Sequence, residues 1–497
     1  MSSTNYLAAI LAASGLFVSV TQAQAAVEKI SPYSSDSTFF EEVDSDAGAP
    51  GTLIRYQRVL KLDDYPGELY RVLYWSTVRT ISYPGDDIDH NVCHFYQWEN
   101  NEWGTEYRCE KPIVTSGLVR IPKAAPPAQG FATVAFTHGT VGLIPECGPS
   151  TGYGPLWRDW MVSDRVTTVA ADYPGLGYDS GLRSADAMYT SEHPWYPGTG
   201  IMQSPFDETS HTYSDNWSPG ASTIDLVRAS KQLEVVTDAS NGVSNPNFIV
   251  VGSSQGGAVA IGTAQLMSAD YAPELQLKAV LAGAPGSNLG DLESADSPLA
   301  YGILSGGIVG ASVSDPSLHP SEWLSPIGQA NYERTTEAMC SGAGDFESYL
   351  WWVNALYSYP FNAPLTTLGA QVEWQRYAAR QDLAATPIAA PIYIGQVDDD
   401  PLVPQARTDA FAARLAQIAD VTYCVYQGNG DNGVDENGDP AVTFSSMENH
   451  TTVLDRMGDE DYTAASPEPS CVSSASTASL SAKAFLIQQG FDALSSQ

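Results

Sequence analysis

Short apolar runs bounded by turn residues recur through the middle of the chain: Thr133–Thr137, Val166–Ala170, Phe248–Val251, Ala279–Ala282 and Ile392–Ile394. Their apolarity is continuous, not alternating, which marks strands buried on both faces. Periodic segments such as Ile224–Leu233 lie between them. Strands alternating with helices in this way predict βαβ units and an α/β fold with a mostly parallel central sheet. Ahead of these runs, from Val27 to about Gln129, alternating stretches such as Tyr70–Thr77 and Gly117–Pro122 predict antiparallel strands that lead into the sheet. Between the fourth and fifth runs lie about 110 residues, too many for a plain crossover helix. Residues 286–385 are therefore expected to form an inserted, largely helical cap, splitting the main domain into 26–285 and 386–497. Two apolar stretches of the cap, Ser305–Ala311 and the aromatic Tyr349–Tyr357, suit either its core or the lining of an apolar substrate channel.

Residues 1–25 contain no charged side chain, run apolar from Tyr6 to Val20 and end in Ala23-Gln24-Ala25. This reads as a cleaved export signal. A Lys or Arg near the start is missing, which is expected if the true start lies upstream; an uncleaved anchor is the alternative. No other stretch approaches the ~20 apolar residues that span a bilayer, and the mature protein is expected to be soluble and secreted, without stable membrane insertion. The 497 residues suit one large domain with an insertion, or two domains. With 58 acidic against 23 basic residues the formal charge is -35, which repels nucleic acid and anionic membrane surfaces and disfavours both as partners. Six cysteines in an exported chain suggest three disulfides. Cys93 and Cys109 enclose a short aromatic and polar segment and look like a hairpin clasp. None of the six shows metal-ligand spacing, and no cofactor is expected.

The candidate chemistry centres on Gly252-Ser253-Ser254-Gln255-Gly256, which follows the apolar run Phe248–Val251 and precedes a small-residue helical segment. Gly-x-Ser-x-Gly in that setting is a nucleophile elbow, a sharp strand-to-helix turn that presents the serine hydroxyl above the sheet. A serine needs a histidine to remove its proton, and the histidine needs a carboxylate to orient it. In this architecture the acid and then the histidine follow the serine. Only His319 and His450 come after Ser254. His319 would leave the acid without a strand end to hold it, so His450 is the expected base. The acid should stand just after a strand, as Asp398, Asp399 and Asp400 do. Asp400 is chosen for its place in Asp-x-x-Val-Pro, on the turn into the helix from Gln405, with Asp398 the runner-up. The oxyanion donors are expected from the backbone N–H of Gln255 and from Gly139 or Thr140 in the turn after the first parallel strand.

Several motifs in order resemble one family. His138-Gly139-Thr140-Val141-Gly142, Cys147-Gly148-Pro149-Ser150, Asp172-Tyr173-Pro174-Gly175-Leu176-Gly177, His193-Pro194, the elbow with Gly257, and Asp400-Pro401-Leu402-Val403-Pro404 are similar to the secretory lipases of fungi and bacteria, the Candida lipase A-like group. The entry segment Gly51–Arg55 is similar too. The resemblance implies an α/β-hydrolase with a helical cap, a triad of Ser254, Asp400 and His450, and lipase or esterase activity on small-molecule or lipid esters without a cofactor. It also implies disulfides Cys147–Cys340 and Cys424–Cys471, leaving Cys93 with Cys109. The Cys93–Cys109 hairpin, the acidic loop Gly428–Pro440 and a long stretch between Leu176 and His193 depart from the family pattern. The acidic residues 431–439 are a solvated loop or, alternatively, oxygen ligands for a structural Ca²⁺. A serine peptidase of the same fold and a non-catalytic binding module are the competing functions.

Overall fold

The computed structural model of the chain describes residues 27–43, 47–59, 67–98, 103–151, 158–185, 210–237, 244–292, 298–336, 359–431, 444–458, 470–473 and 481–491. The expected export signal, the aromatic run Tyr349–Tyr357, His193-Pro194, Cys340 and all of the acidic segment beyond Asp431 lie outside these residues.

The described strands form one sheet. They are β1 (Glu28–Ile30), β2 (Leu53–Arg58), β3 (Glu68–Ser82), β4 (Cys93–Gln97), β5 (Thr105–Ile121), β6 (Ala132–Thr137), β7 (Val166–Ala171), β8 (Asn247–Ser253), β9 (Gln276–Gly283), β10 (Ile392–Val397), β11 (Val421–Tyr426) and β12 (Ser470–Ser473). Their order is β1-β2-β3-β5-β7-β6-β8-β9-β10-β11-β12, with β4 paired to β5 off this path. From β7 to β11 every neighbouring pair is parallel. All five apolar runs are strands of this block. Its last member, β11, is a strand that the five apolar runs do not include.

The continuous apolarity of β8 has a direct structural cause. Phe248 and Val250 pack into the cluster that holds the helices Trp217–Thr237 and Gln255–Ser268, whereas Ile249 and Val251 join the cluster on the other face, with Leu454 and Phe485. All four strand side chains are fully buried, each worth about 1.5–3 kcal/mol on transfer from water. The fold is that of an α/β-hydrolase with an inserted helical cap. Between β9 and β10 stand the helices Pro298–Ser314, Pro326–Thr336 and Val372–Arg380. The run Ser305–Ala311 divides between the two expected roles: Ile308, Val309 and Ala311 are cap core, while Gly307 lines a cavity together with Ile303 and Leu304.

β3 and β5 pair antiparallel without interruption from Glu68↔Ile121 to Ser82↔Tyr107. Only the near end of this ribbon continues into the parallel block, where Gly117–Arg120 meet β7. The far end carries β4, clasped by the disulfide between Cys93 and Cys109, which face each other in register. It also grips the cap. The wholly buried Glu106 accepts from Arg380 Nη1 at 2.7 Å, from Arg108 Nε at 2.9 Å and from Trp98 Nε1 at 3.1 Å. Arg380 also pairs with Asp315, which accepts from the Tyr83 hydroxyl at 2.9 Å. Burial works against the Arg380 charge, and the carboxylates of Asp315 and Glu106 more than restore it.

Candidate active site

Ser254 connects β8 to the helix Gln255–Ser268 with φ 59° and ψ -125°. A non-glycine residue rarely adopts such a backbone, and the surroundings must hold it there. They do so through close packing. A Cβ on Gly256 would run into the carbonyl oxygens of Thr137 and His138, and one on Gly252 would meet Thr137. Thr137 then donates its hydroxyl to the carbonyls of Val251 (3.1 Å) and Gly256 (2.8 Å), fixing β6 against the elbow. The Ser254 N–H donates to Gly283 at 2.9 Å, and its carbonyl accepts from Gly286 at 3.0 Å.

Asp400 stands on the turn after β10 and is buried. Its Oδ1 accepts the N–H groups of Leu402 and Val403, both at 2.9 Å, and its Oδ2 lies 2.8 Å from His450 Nδ1. Gln396 braces the turn by donating to the Val397 and Val403 carbonyls at 2.9 Å. The neighbouring acids are used elsewhere: Asp398 accepts from Gly428 N–H at 2.5 Å and Asp399 from Gly430 N–H at 2.9 Å. They anchor the loop after β11 to the acid turn. Asn449 reinforces this by donating to the Asp399 carbonyl (3.3 Å), to Asn429 (2.8 Å) and to the Asp431 carbonyl (3.0 Å). His450 itself stands in the last turn of the helix Phe444–Thr451. The next helix, Val453–Gly458, presses Val453 and Leu454 against Gly283, the residue that accepts from Ser254.

Ser254, Asp400 and His450 thus follow β8, β10 and β11 at the carboxyl ends of parallel strands. The structure joins Asp400 to His450 directly. It draws no hydrogen bond from Ser254 to His450, a contact that often tightens only with substrate in place. His319 stands far along the chain from this group, at the start of the cap helix Pro320–Trp323.

The expected oxyanion turn lies against the nucleophile. A Cβ on Gly139 would sit 3.7 Å from the Ser254 Cβ. Gln255 opens its helix, where backbone N–H groups have no intrahelical acceptor. The Thr140 hydroxyl is 2.6 Å from that of Tyr213, a phenol that burial pushes up to about 12. Behind the turn, His138, Tyr173 and His211 form a stack, with ring centroids 4.0 and 5.8 Å apart. Tyr173 takes φ 77° and donates to the His138 carbonyl at 2.9 Å. Burial pushes His138 down to about 4. Neutral, it has one N–H for the two carbonyls it faces, Gly139 at 2.7 Å and Asp172 at 3.1 Å. Asp172, which burial raises to about 6, gathers Ser116 and Ser150. The turn at His138, Ser150, Asp172 and the elbow are therefore one hydrogen-bonded body.

His211 carries the more consequential contact. Its Nδ1 faces the Pro174 carbonyl at 3.1 Å, so the proton resides there, and Nε2 accepts from the Gln255 side-chain amide at 2.8 Å. Burial pushes His211 down to about 3. Sequence reasoning missed His211, Tyr213 and Asn449. No motif marks them, and their only signal is that polar rings and amides stand among buried residues.

Ser254 and Gln255 open onto a cavity of about 120 Å³ lined chiefly by Leu289, Leu292, Leu304, Trp374 and Leu402. Among the described residues no three His, Cys, Asp or Glu side chains gather as metal ligands, and no helix is long and apolar enough to cross a membrane. Cys424 and Cys471 form a disulfide and so does Cys147, whose expected partner lies outside the described residues.

A family model described as secretory lipase matches residues 196–340, which include the elbow. No curated protein matches the chain. In fold, the chain is similar to Candida antarctica lipase A, with TM-score 0.50, 14% identity, and 78% of each chain covered. It is also similar to the rice cell wall degrading esterase LipA from Xanthomonas oryzae, with TM-score 0.52, 18% identity, and coverage of 82% of this chain and 98% of that one. At these identities the likeness is one of fold.

Proposed function

We propose that the protein is an exported serine ester hydrolase, of lipase or carboxylesterase type, that cleaves acyl esters through an acyl-serine intermediate. The observation that carries this reading is the buried 2.8 Å contact of Asp400 with His450 at the same sheet edge as a serine in an elbow backbone. The carboxylate accepts a hydrogen bond from the Nδ1–H of His450, which leaves the unprotonated Nε2 to act as base. In the reaction His450 removes the Ser254 proton as Oγ attacks the ester carbonyl. The Gln255 N–H and the 139–140 turn receive the negative charge on the carbonyl oxygen. The imidazolium then protonates the departing alkoxide, and water repeats the sequence to release the acid. The secretory-lipase match and the apolar cavity support ester over other acyl substrates, and the disulfides support export.

A fluorophosphonate should label Ser254, and p-nitrophenyl esters of graded chain length and emulsified triglycerides should be cleaved. Purified protein that cleaves peptides but none of these esters would overturn the assignment.

A further inference from the structure

Gln255 brings a side chain as well as an N–H to the nucleophile, and its partner fixes which end of that side chain is free. The Pro174 carbonyl can only accept, so His211 Nδ1 carries the proton directed at it across 3.1 Å. The imidazole is buried and neutral, which leaves Nε2 bare to accept from Gln255 Nε2 at 2.8 Å. The opposite orientation of the amide would set an oxygen against that bare nitrogen, two acceptors with no proton between them. Gln255 Oε1 is therefore the end turned from His211. It has no hydrogen-bond partner among the described residues, yet the protein does not seal it, as it does seal the unpartnered hydroxyl of Ser287. Gln255 lines the cavity beside Ser254, as does Ala258 one turn further along the same helix. Oε1 is thus an open acceptor at the nucleophile's end of a mostly apolar wall.

An unused acceptor in such a wall selects among ligands. A hydrocarbon chain packed against Oε1 would exclude the water that hydrates it in the free protein and leave the oxygen unpaired. A hydroxyl on that chain would displace the same water and donate in its place. An ammonium could donate too, but the described lining holds no carboxylate to offset its charge and already carries the cation Arg407. The Gln255 N–H is the expected donor to the ester carbonyl oxygen, so the side chain of the same residue meets the chain close to that carbonyl.

We propose that Gln255 is a specificity-determining residue whose Oε1 accepts from a hydroxyl at carbon 2 or 3 of the acyl chain, so that the preferred substrates are esters of hydroxy acids. His211 is the positioning residue, since its bare Nε2 keeps the amide nitrogen turned inward and the oxygen turned to the cavity. The proposal rests on the hydrolase reading above and specifies its substrate class.

The test measures kcat/KM by pH-stat for ethyl 2-hydroxyhexanoate, ethyl 3-hydroxyhexanoate, their methyl ethers and ethyl hexanoate, with active sites counted by fluorophosphonate. The quantity read is each substituted ester's rate relative to ethyl hexanoate within one protein, a ratio that partial misfolding does not change. Gln255→Met keeps the backbone N–H and the side-chain length and removes the acceptor. The ratio for at least one hydroxy ester should be about five- to tenfold higher in the parent than in Gln255→Met, as one hydrogen bond provides. The methyl ethers, which cannot donate, should show the same ratio in both proteins, so that electronic activation by the added oxygen cancels. His211→Phe keeps Gln255 but frees its amide to turn, and should lose part of the preference, which a purely structural histidine would leave intact. Hydrolysis of ethyl hexanoate with hydroxy-ester ratios equal in the parent and Gln255→Met overturns this proposal, makes Oε1 a water site only, and leaves the hydrolase reading standing. A preference that the methyl ethers share also overturns it. Failure of the folded parent to cleave any ester or to take the fluorophosphonate overturns the hydrolase reading itself.

Discussion

His211→Phe isolates the buried imidazole that orients Gln255. Phenylalanine keeps a ring against Tyr173 but removes both hydrogen bonds, leaving the Pro174 carbonyl and the Gln255 amide unpaired. At pH 7 that should cost roughly 2–6 kcal/mol, the penalty for two unsatisfied buried groups. The pH dependence sharpens the prediction. His211 has a folded value of about 3 against 6.5 unperturbed, because burial disfavours its charge. Below 6.5 the unfolded chain binds a proton that the folded chain refuses, so stability is lost as pH falls from 6.5 toward 3. At pH 5 the loss from this one group is about 2 kcal/mol, and at pH 7 it is close to zero. The variant lacks this loss. Urea titrations of both proteins at the two pH values should therefore show the stability gap narrowing by about 2 kcal/mol at pH 5. A gap that stays constant or widens would mean that His211 is not a buried neutral imidazole, and the Gln255 contact would have to be reassigned.

Asp400→Asn should lower kcat by about 10³–10⁴-fold, as when a base loses the partner that sets its tautomer, whereas Asp398→Asn should act mainly through the Gly428 loop; steady-state assays on one ester would distinguish the two. Opening the Cys424–Cys471 disulfide, 47 residues apart in sequence, by paired serine substitutions should cost about 4 kcal/mol in the chain-entropy account, read from urea midpoints. Arg380→Met removes the cation shared by two buried carboxylates, leaving Glu106 with Arg108 and Asp315 with the Tyr83 hydroxyl, and should destabilise by about 3–5 kcal/mol; adding Glu106→Gln and Asp315→Asn should restore part of it.

Much of the scaffold was legible because burial on both sides of the sheet leaves a continuous apolar signature, as in Phe248–Val251. β11 escaped although its six residues, with one Thr among Val, Tyr and Cys, are no more polar than Val166–Ala170; its pairing with β10 and β12 secures it. At the site, the elbow could be read because the chain itself must supply small residues where backbones nearly touch. Asp400 could be read because one turn carries both the acid and the N–H groups it accepts. The orienting groups could not. His211 reaches Gln255 across 44 positions, and Asn449 reaches Asp399 across 50. Contacts of that kind belong to the packed sheet and have no spacing rule.

The β3–β5 ribbon changes how the cap should be thought of as a unit of variation. At about 3.4 Å per residue its paired register extends roughly 50 Å, and its outer end holds Arg380 through Glu106. The roof over the nucleophile is therefore anchored by a part of the chain translated long before either edge of the insertion. Cap residues and the outer ribbon should drift as a co-inherited pair. Grafting a foreign cap between β9 and β10 while leaving Tyr83, Trp98 and Glu106 behind would join a new roof to the old pillar, and chimaeras that exchange both pieces together should be the ones that survive selection.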